Sequence, residues 1–194
     1  TTAGDNGGAI FFGDSGTVIN STFINTTAGN TGGAIHVSEG RVTVINSSFI
    51  NTTAGDNGGA IYSFNANVTV VNSNFTNTKA SNNGGAIYGL NVTVSGSTFT
   101  NNTANDTGAI YSENGVNVTD STFTNTTAYT YGGAITGNTV TVTNSNFTNT
   151  KASNNGGAIY SDNGVNVTDS TFTNNTATNG GAIYSNNGNV TVTG

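Results

Sequence analysis

Nine carboxylates are the groups in this chain that could act as acids or bases: Asp5, Asp14, Glu39, Asp56, Asp106, Glu113, Asp120, Asp162 and Asp169. Acid–base cleavage of a polysaccharide needs two of them facing one another, with or without Ca²⁺, and ordinarily a basic neighbour. Asp120 and Asp169 come nearest to that, because they hold equivalent places in the sequence with Asn144 between them. Two steps of a stacked sheet would set them about 9 to 10 Å apart, at the edge of a working pair. No Arg or Lys recurs beside them, since Arg41, Lys79 and Lys151 are scattered. Solvated turn carboxylates are therefore the preferred reading. His36, the sole histidine, fills a slot most often held by tyrosine, which favours a surface stripe position over a catalytic base. Cysteine is absent, so no thiolate metal site exists, and the Asp-Asn-Gly-Gly turns lack the nonapeptide Ca²⁺ pattern. The expectation is a chain without catalytic residues, metal or cofactor.

Two other residue classes could bind. Each isoleucine of a recurring block is followed by an outward position, reading Phe11, His36, Tyr62, Tyr88, Tyr111, Thr136, Tyr160 and Tyr184. Exposed tyrosines in a row could receive sugar rings or another protein; the plainer and preferred reading is a ladder that stabilises a sheet by stacking. Asn-x-Ser/Thr sequons occur at Asn20, Asn46, Asn67, Asn91, Asn117, Asn166 and Asn189 and could carry surface glycans, although a chain this rich in Asn and Thr forms sequons by chance.

The elements that must position these groups follow from a repeat. Gly-Gly-Ala-Ile blocks end at Ile10, Ile35, Ile61, Ile87, Ile110, Ile135, Ile159 and Ile183, a period of about 25 residues, with Thr107 standing for one glycine. Between them Ser-x-Phe-x-Asn recurs around Phe23, Phe49, Phe75, Phe99, Phe123, Phe147 and Phe172. One copy runs Val68-Thr-Val, then Ser73-x-Phe75, a polar turn from Lys79 to Asn83, then Ala86-Ile87-Tyr88. Alternation points Val, Phe and Ile inward and Thr and Tyr outward. The chain is therefore expected to be all-β, a single-stranded right-handed parallel β-helix of about eight coils of 23–26 residues with three short strands per coil. Eight steps give a rod of roughly 40 Å. The asparagine two after each phenylalanine (Asn25, Asn51, Asn77, Asn101, Asn125, Asn149, Asn174) is expected to form an amide ladder at an inward-turning corner. The glycine pair is expected to provide positive φ or close approach between coils.

Composition agrees with that scaffold. Only 33% of residues are hydrophobic and 6% charged, but the apolar ones return in register, so stacked coils can bury them jointly. Helix formers are scarce and proline is absent, leaving every backbone N–H free for ladder bonds. A net charge of −6 disfavours nucleic acid and anionic membranes, and no apolar run reaches the ~20 residues of a membrane span. The chain opens and closes within repeats, so residues 1–194 are expected to be one array, a piece of a longer β-helix.

The paired Gly-Gly-Ala-Ile and Phe-x-Asn markers resemble the polymorphic outer-membrane protein repeats of chlamydial surface adhesins. They are also similar to adhesin-like surface proteins of methanogenic archaea. The bacterial motif is Phe-x-x-Asn, matched here at Phe99 to Asn102 and Phe172 to Asn175. The resemblance implies a right-handed parallel β-helix, extracellular display and a part in adhesion or envelope structure. Its partner would be a host or neighbouring-cell surface protein or glycan, or copies of the chain joined end to end. A polysaccharide lyase or hydrolase on the same scaffold is the alternative. Ice binding is a second, from Thr141-Val142-Thr143 and Thr191-Val192-Thr193, weakened because threonine does not fill both columns in all coils.

Overall fold

A computed structural model describes all 194 residues. The chain contains no helix, every strand pairing is parallel, and equivalent residues of successive repeats lie in register. It is a parallel β-solenoid of about eight turns, numbered here as coils 1 to 8 by their isoleucines, with three sheets running along its length. The seven-stranded sheet carries the phenylalanines, the fourteen-stranded sheet carries both the isoleucine and the valine segments, and the six-stranded sheet pairs Thr-Ala dipeptides. The third sheet takes in Lys79–Ala80, which sequence alone assigns to a turn; Ala80 is buried and pairs with Ala54. In coils 4 and 5 the isoleucine and valine segments fuse into the single strands Ile87–Ser95 and Ile110–Thr119.

The inward set forms one core of like-on-like columns: Ile over Ile, Val over Val, Phe over Phe. The phenylalanine rings stack at 4.7–4.9 Å with planes within 8° of parallel. Such offset stacks add to the burial of each ring about 0.5–1.5 kcal/mol per pair. The serine column is a hydrogen-bonded rail. Ser73 Oγ donates to the Val71 carbonyl at 2.9 Å and accepts the Ser47 N–H at 3.1 Å, and the pattern repeats along the rod.

The asparagine column departs from the sequence expectation. Asn25 to Asn174 are exposed, not inward; the expected amide ladder forms, but on the outside of the rod, running coil to coil from Asn25 to Asn149 with Nδ2 to Oδ1 at 3.1–3.2 Å. Their invariance comes from the backbone: each has φ near +50°, the left-handed region that Asn tolerates better than most side chains. A second left-handed corner three residues before each phenylalanine is held by Asn20, Asn46, Asn72, Gly96, Asp120, Asn144 and Asp169.

The inward corner is one residue later, at Thr26, Thr52, Thr78, Asn102, Thr126, Thr150 and Asn175. There Asn175 donates to the Phe147 carbonyl and accepts from both the N–H and the hydroxyl of Thr150 at 2.8–2.9 Å. Asn102 likewise bonds to the Phe75 carbonyl and Thr78. At Thr26, Thr52 and Thr126 the hydroxyl has no partner.

The two glycines of each block divide the expected roles. The first takes positive φ, as Gly84 does at +64°. The second approaches the next coil so closely that a Cβ on Gly85 would meet the Gly108 carbonyl oxygen at 2.1 Å. The block that carries Thr107 lies in a turn one residue shorter than its neighbours, and Thr107 is not left-handed.

Candidate functional site

The outward positions after the isoleucines make a continuous column, since Ile10, Ile35, Ile61, Ile87 and Ile110 are paired coil to coil. Rings stack from Phe11 through His36, Tyr62 and Tyr88 to Tyr111 at 4.8–5.2 Å, and again from Tyr160 to Tyr184 at 5.7 Å. The column is less open than sequence suggests. Phe11 at its first coil is 56% exposed, but His36 and Tyr88 are buried, and Tyr62, Tyr111, Tyr160 and Tyr184 are half-buried. Each ring hides its faces against its neighbours.

Burial and charge shift the titrating groups accordingly. Desolvation raises the phenols of Tyr62, Tyr88, Tyr111 and Tyr160, the last to about 12. The Tyr88 hydroxyl donates to Glu113 Oε1 at 2.6 Å, which holds it further toward the protonated form. His36 is held down by burial, against a smaller upward pull from Asp5. Its tautomer follows from the network: Thr31 Oγ1 donates to Asn6 Oδ1 at 2.7 Å, so at 2.8 Å it must accept from His36 Nδ1–H. His36 is thus a neutral ring built into the stack.

A pH dependence follows. The unfolded chain binds a proton at His36 more readily than the folded one, so the contribution of His36 is complete above pH 6.5 and is lost as pH falls below that value. His36→Tyr, which restores the commonest residue of the column, should flatten the melting temperature between pH 6.5 and 5 relative to the unsubstituted protein. Parallel curves for the two proteins would contradict the assignment.

The column breaks once, at Thr136 in coil 6, which pairs with Tyr111 below and Tyr160 above. The missing ring is partly replaced from the adjoining turn, where Tyr131 leans onto Tyr160 at 5.0 Å with a 36° tilt. No ring covers the facing side of Tyr111. The result is a cleft of about 320 Å³ lined by Asn83, Asp106, Thr107, Tyr111, Tyr131, Thr136, Tyr160 and Asp162. Sequence reading of the column finds Tyr111 and Tyr160 but misses Tyr131, Asp106 and Asp162. These belong to turns that differ from copy to copy, and irregularity is the signal that points to them: the short turn before Gly108 and the Tyr-Thr-Tyr turn at 129–131.

Elsewhere, no three of the His, Asp and Glu side chains come together in a metal-binding group. Asp120 and Asp169 stand in one corner column with Asn144 between them, and Asn144 Nδ2 donates to Asp120 Oδ1 at 2.5 Å. Of the sequon asparagines, Asn20, Asn46, Asn67, Asn117, Asn166 and Asn189 are exposed, while Asn91 is half-buried and donates to Asn67 Oδ1 at 3.0 Å. The outward hydroxyls of the phenylalanine sheet are partly engaged sideways, with Thr98 donating to Asn74 at 2.7 Å and Thr171 to Asn146 at 2.6 Å.

Residues 169–186 match a family model, the Chlamydia polymorphic membrane protein repeat. That stretch holds Phe172, Asn175 and Gly180-Gly181-Ala182-Ile183, the copy that keeps both halves of the doublet with its inward asparagine. The chain thus carries a polymorphic-membrane-protein-like repeat on a β-solenoid, a combination that suits an adhesin-like stalk and suggests a surface location. No curated protein and no solved structure matches the chain.

Proposed function

We propose that this β-solenoid is an extracellular structural and adhesive stalk of a cell-surface protein, and that it carries no catalytic centre. The observation that carries the reading is the division of labour in each coil. The isoleucine, valine and phenylalanine columns of the core repeat from coil to coil and spend their chemistry on holding the rod together, while the aromatic column, other outward positions and the turns vary. A rod of this kind supports reach and display. The match to a membrane-protein repeat favours a surface setting, and kinship with adhesin-like proteins of methanogenic archaea is part of the proposal. Glycans on the exposed sequons, and association with a host or neighbouring-cell surface or with other copies into a filament, belong to this reading.

The test is direct. Antibody against the folded rod should label intact cells that carry it, and in-frame removal of whole coils should lower attachment severalfold while the remaining protein stays on the surface. Labelling only after cell lysis would overturn the surface assignment. Release of reducing or unsaturated ends from a polysaccharide panel would replace the stalk by the enzyme, and thermal hysteresis would replace it by the ice binder.

A further inference from the structure

We infer that the break in the aromatic column at Thr136 is a binding slot for a neutral or amino-substituted pyranose ring, held between Tyr111 and the Tyr131–Tyr160 pair. The inference deepens the adhesive reading and rests on it for its biological setting, but the binding itself is a property of the isolated rod.

The first argument is size. Tyr111 and Tyr160 occupy the same column two steps apart, and Thr136 leaves the intervening level without a ring of its own. Two sheet steps span about 9.6 Å, which leaves room for one ring packed at van der Waals distance on each side. Tyr131, 37% exposed and packed on Tyr160, takes up part of that room on the Tyr160 side, whereas the open face of Tyr111 meets no other ring. A flat apolar face is therefore on offer, and the negative π surface of a phenol favours the polarised C–H groups of a sugar ring.

The second argument is the rim. Asp106 accepts from Thr130 and Asp162 from Tyr160 at 3.1 Å, each through one oxygen, so each keeps a second oxygen free. Carboxylates only accept, so the ligand must bring several donors around the edge of a ring whose faces are C–H. A hydroxylated pyranose has that pattern. An aromatic side chain of a protein partner brings at most one donor and leaves the rim unanswered. Uronic and sialic acids would set a third negative charge beside Asp106 and Asp162 and are disfavoured.

The third argument is the floor. Thr107 and Thr136, 0% and 8% exposed, line the cleft, and each hydroxyl lacks any hydrogen-bond partner. Unpaired buried hydroxyls are costly and uncommon. A χ1 rotation that turns either one toward a bound hydroxyl sacrifices no existing bond. Both threonines stand where most other copies have glycine or an aromatic residue, so the same two departures from the repeat that open the cleft also equip it.

Saturation-transfer NMR on the 194-residue chain tests this, with methyl β-D-glucopyranoside, N-acetylglucosamine, glucuronate and N-acetyltyrosinamide as probes. Transfer from tyrosine ring protons to at least one of the two uncharged sugars is expected, with millimolar affinity for a single ring. Glucuronate should bind at least tenfold more weakly. Thr136→Tyr rebuilds the column, so it should keep the circular dichroism spectrum and melting temperature and lose at least tenfold in affinity. Tyr131→Ala and Asp162→Asn, at exposed turn positions, should each lose severalfold, and they carry the test if Thr136→Tyr perturbs the fold. Three results would overturn the slot: no transfer to either uncharged sugar, affinity unchanged in all three variants, or tighter binding of N-acetyltyrosinamide than of the sugars. No sugar binding by the unsubstituted rod, with attachment by cells intact, sinks the slot alone. Sugar binding without surface labelling sinks the stalk alone.

Discussion

Gly85→Ala is expected to unfold the centre of the rod. An added Cβ would lie 2.1 Å from the Gly108 carbonyl oxygen and 2.7 Å from that of Thr103, two backbone atoms belonging to the neighbouring coil. Neither can swing aside as a side-chain end would, because Thr103 lies in a parallel ladder with a strand on each side and the backbone around Gly108 is hydrogen-bonded to the coils on both sides. The coils must separate locally, which breaks inter-coil hydrogen bonds and opens the core columns of isoleucine and phenylalanine beneath. A loss above about 4 kcal/mol is expected, placing the change among the rare severe substitutions. Gly115→Ala is the control: its nearest neighbour would be Thr139 Oγ1 at 3.3 Å, its φ is not positive, and an effect within about 1 kcal/mol of zero is expected. Urea titration of both variants decides the matter. A small shift of the midpoint for Gly85→Ala would show that coils can slide apart at this step. A split into two transitions would show that stability is a sum of nearest-neighbour terms along the array.

The second large effect is at Phe99. Its ring is fully buried and sandwiched between Phe75 at 4.8 Å and Phe123 at 4.7 Å, with interplanar angles of 2° and 5°. Phe99→Ala should cost about 3–5 kcal/mol for the transfer and cavity terms. Loss of two ring pairs adds to that cost. Phe99→Leu keeps most of the volume and removes only the stacking, so it should cost no more than about half as much. Phe23 stacks on Phe49 alone and is 8% exposed where Phe99 is fully buried, so Phe23→Ala should be milder than Phe99→Ala. Equal losses at Phe23 and Phe99 would mean that the stack contributes nothing beyond burial of each ring.

Much of this fold is legible because parallel stacking puts equivalent positions in contact. A residue type that returns every coil at Phe23, Phe49 and Phe75 must touch itself, and alternation then fixes which neighbours share its face. What escaped sequence reading is the direction of the corners. The Asn25 column and the Thr26 column are adjacent, both polar and both regular, and only the left-handed φ of the asparagines turns the first outward and the second inward. Asn102 and Asn175, which satisfy two carbonyl-lined corners, show what the inward position accommodates. The cleft was half legible. Thr136 is conspicuous as the one member of the column without a ring, but the swing of Tyr131 onto Tyr160 depends on a turn whose path no periodicity describes. Repetition encodes the scaffold, so chemistry confined to exceptions leaves no periodic trace.

The serine rail and the parallel ladders carry one more implication, a mechanical one. Nearly every bond between coils runs along the rod, so a pull on its two ends loads them in series, and the outermost coil, which has a neighbour on one side only, yields first. Each coil that peels away releases roughly 80 Å of slack for the 4.8 Å of rod it gives up. The same hydrogen bonds that make the solenoid rigid at rest would let it lengthen stepwise under shear, dissipating force one coil at a time and re-forming by rewinding onto an intact template.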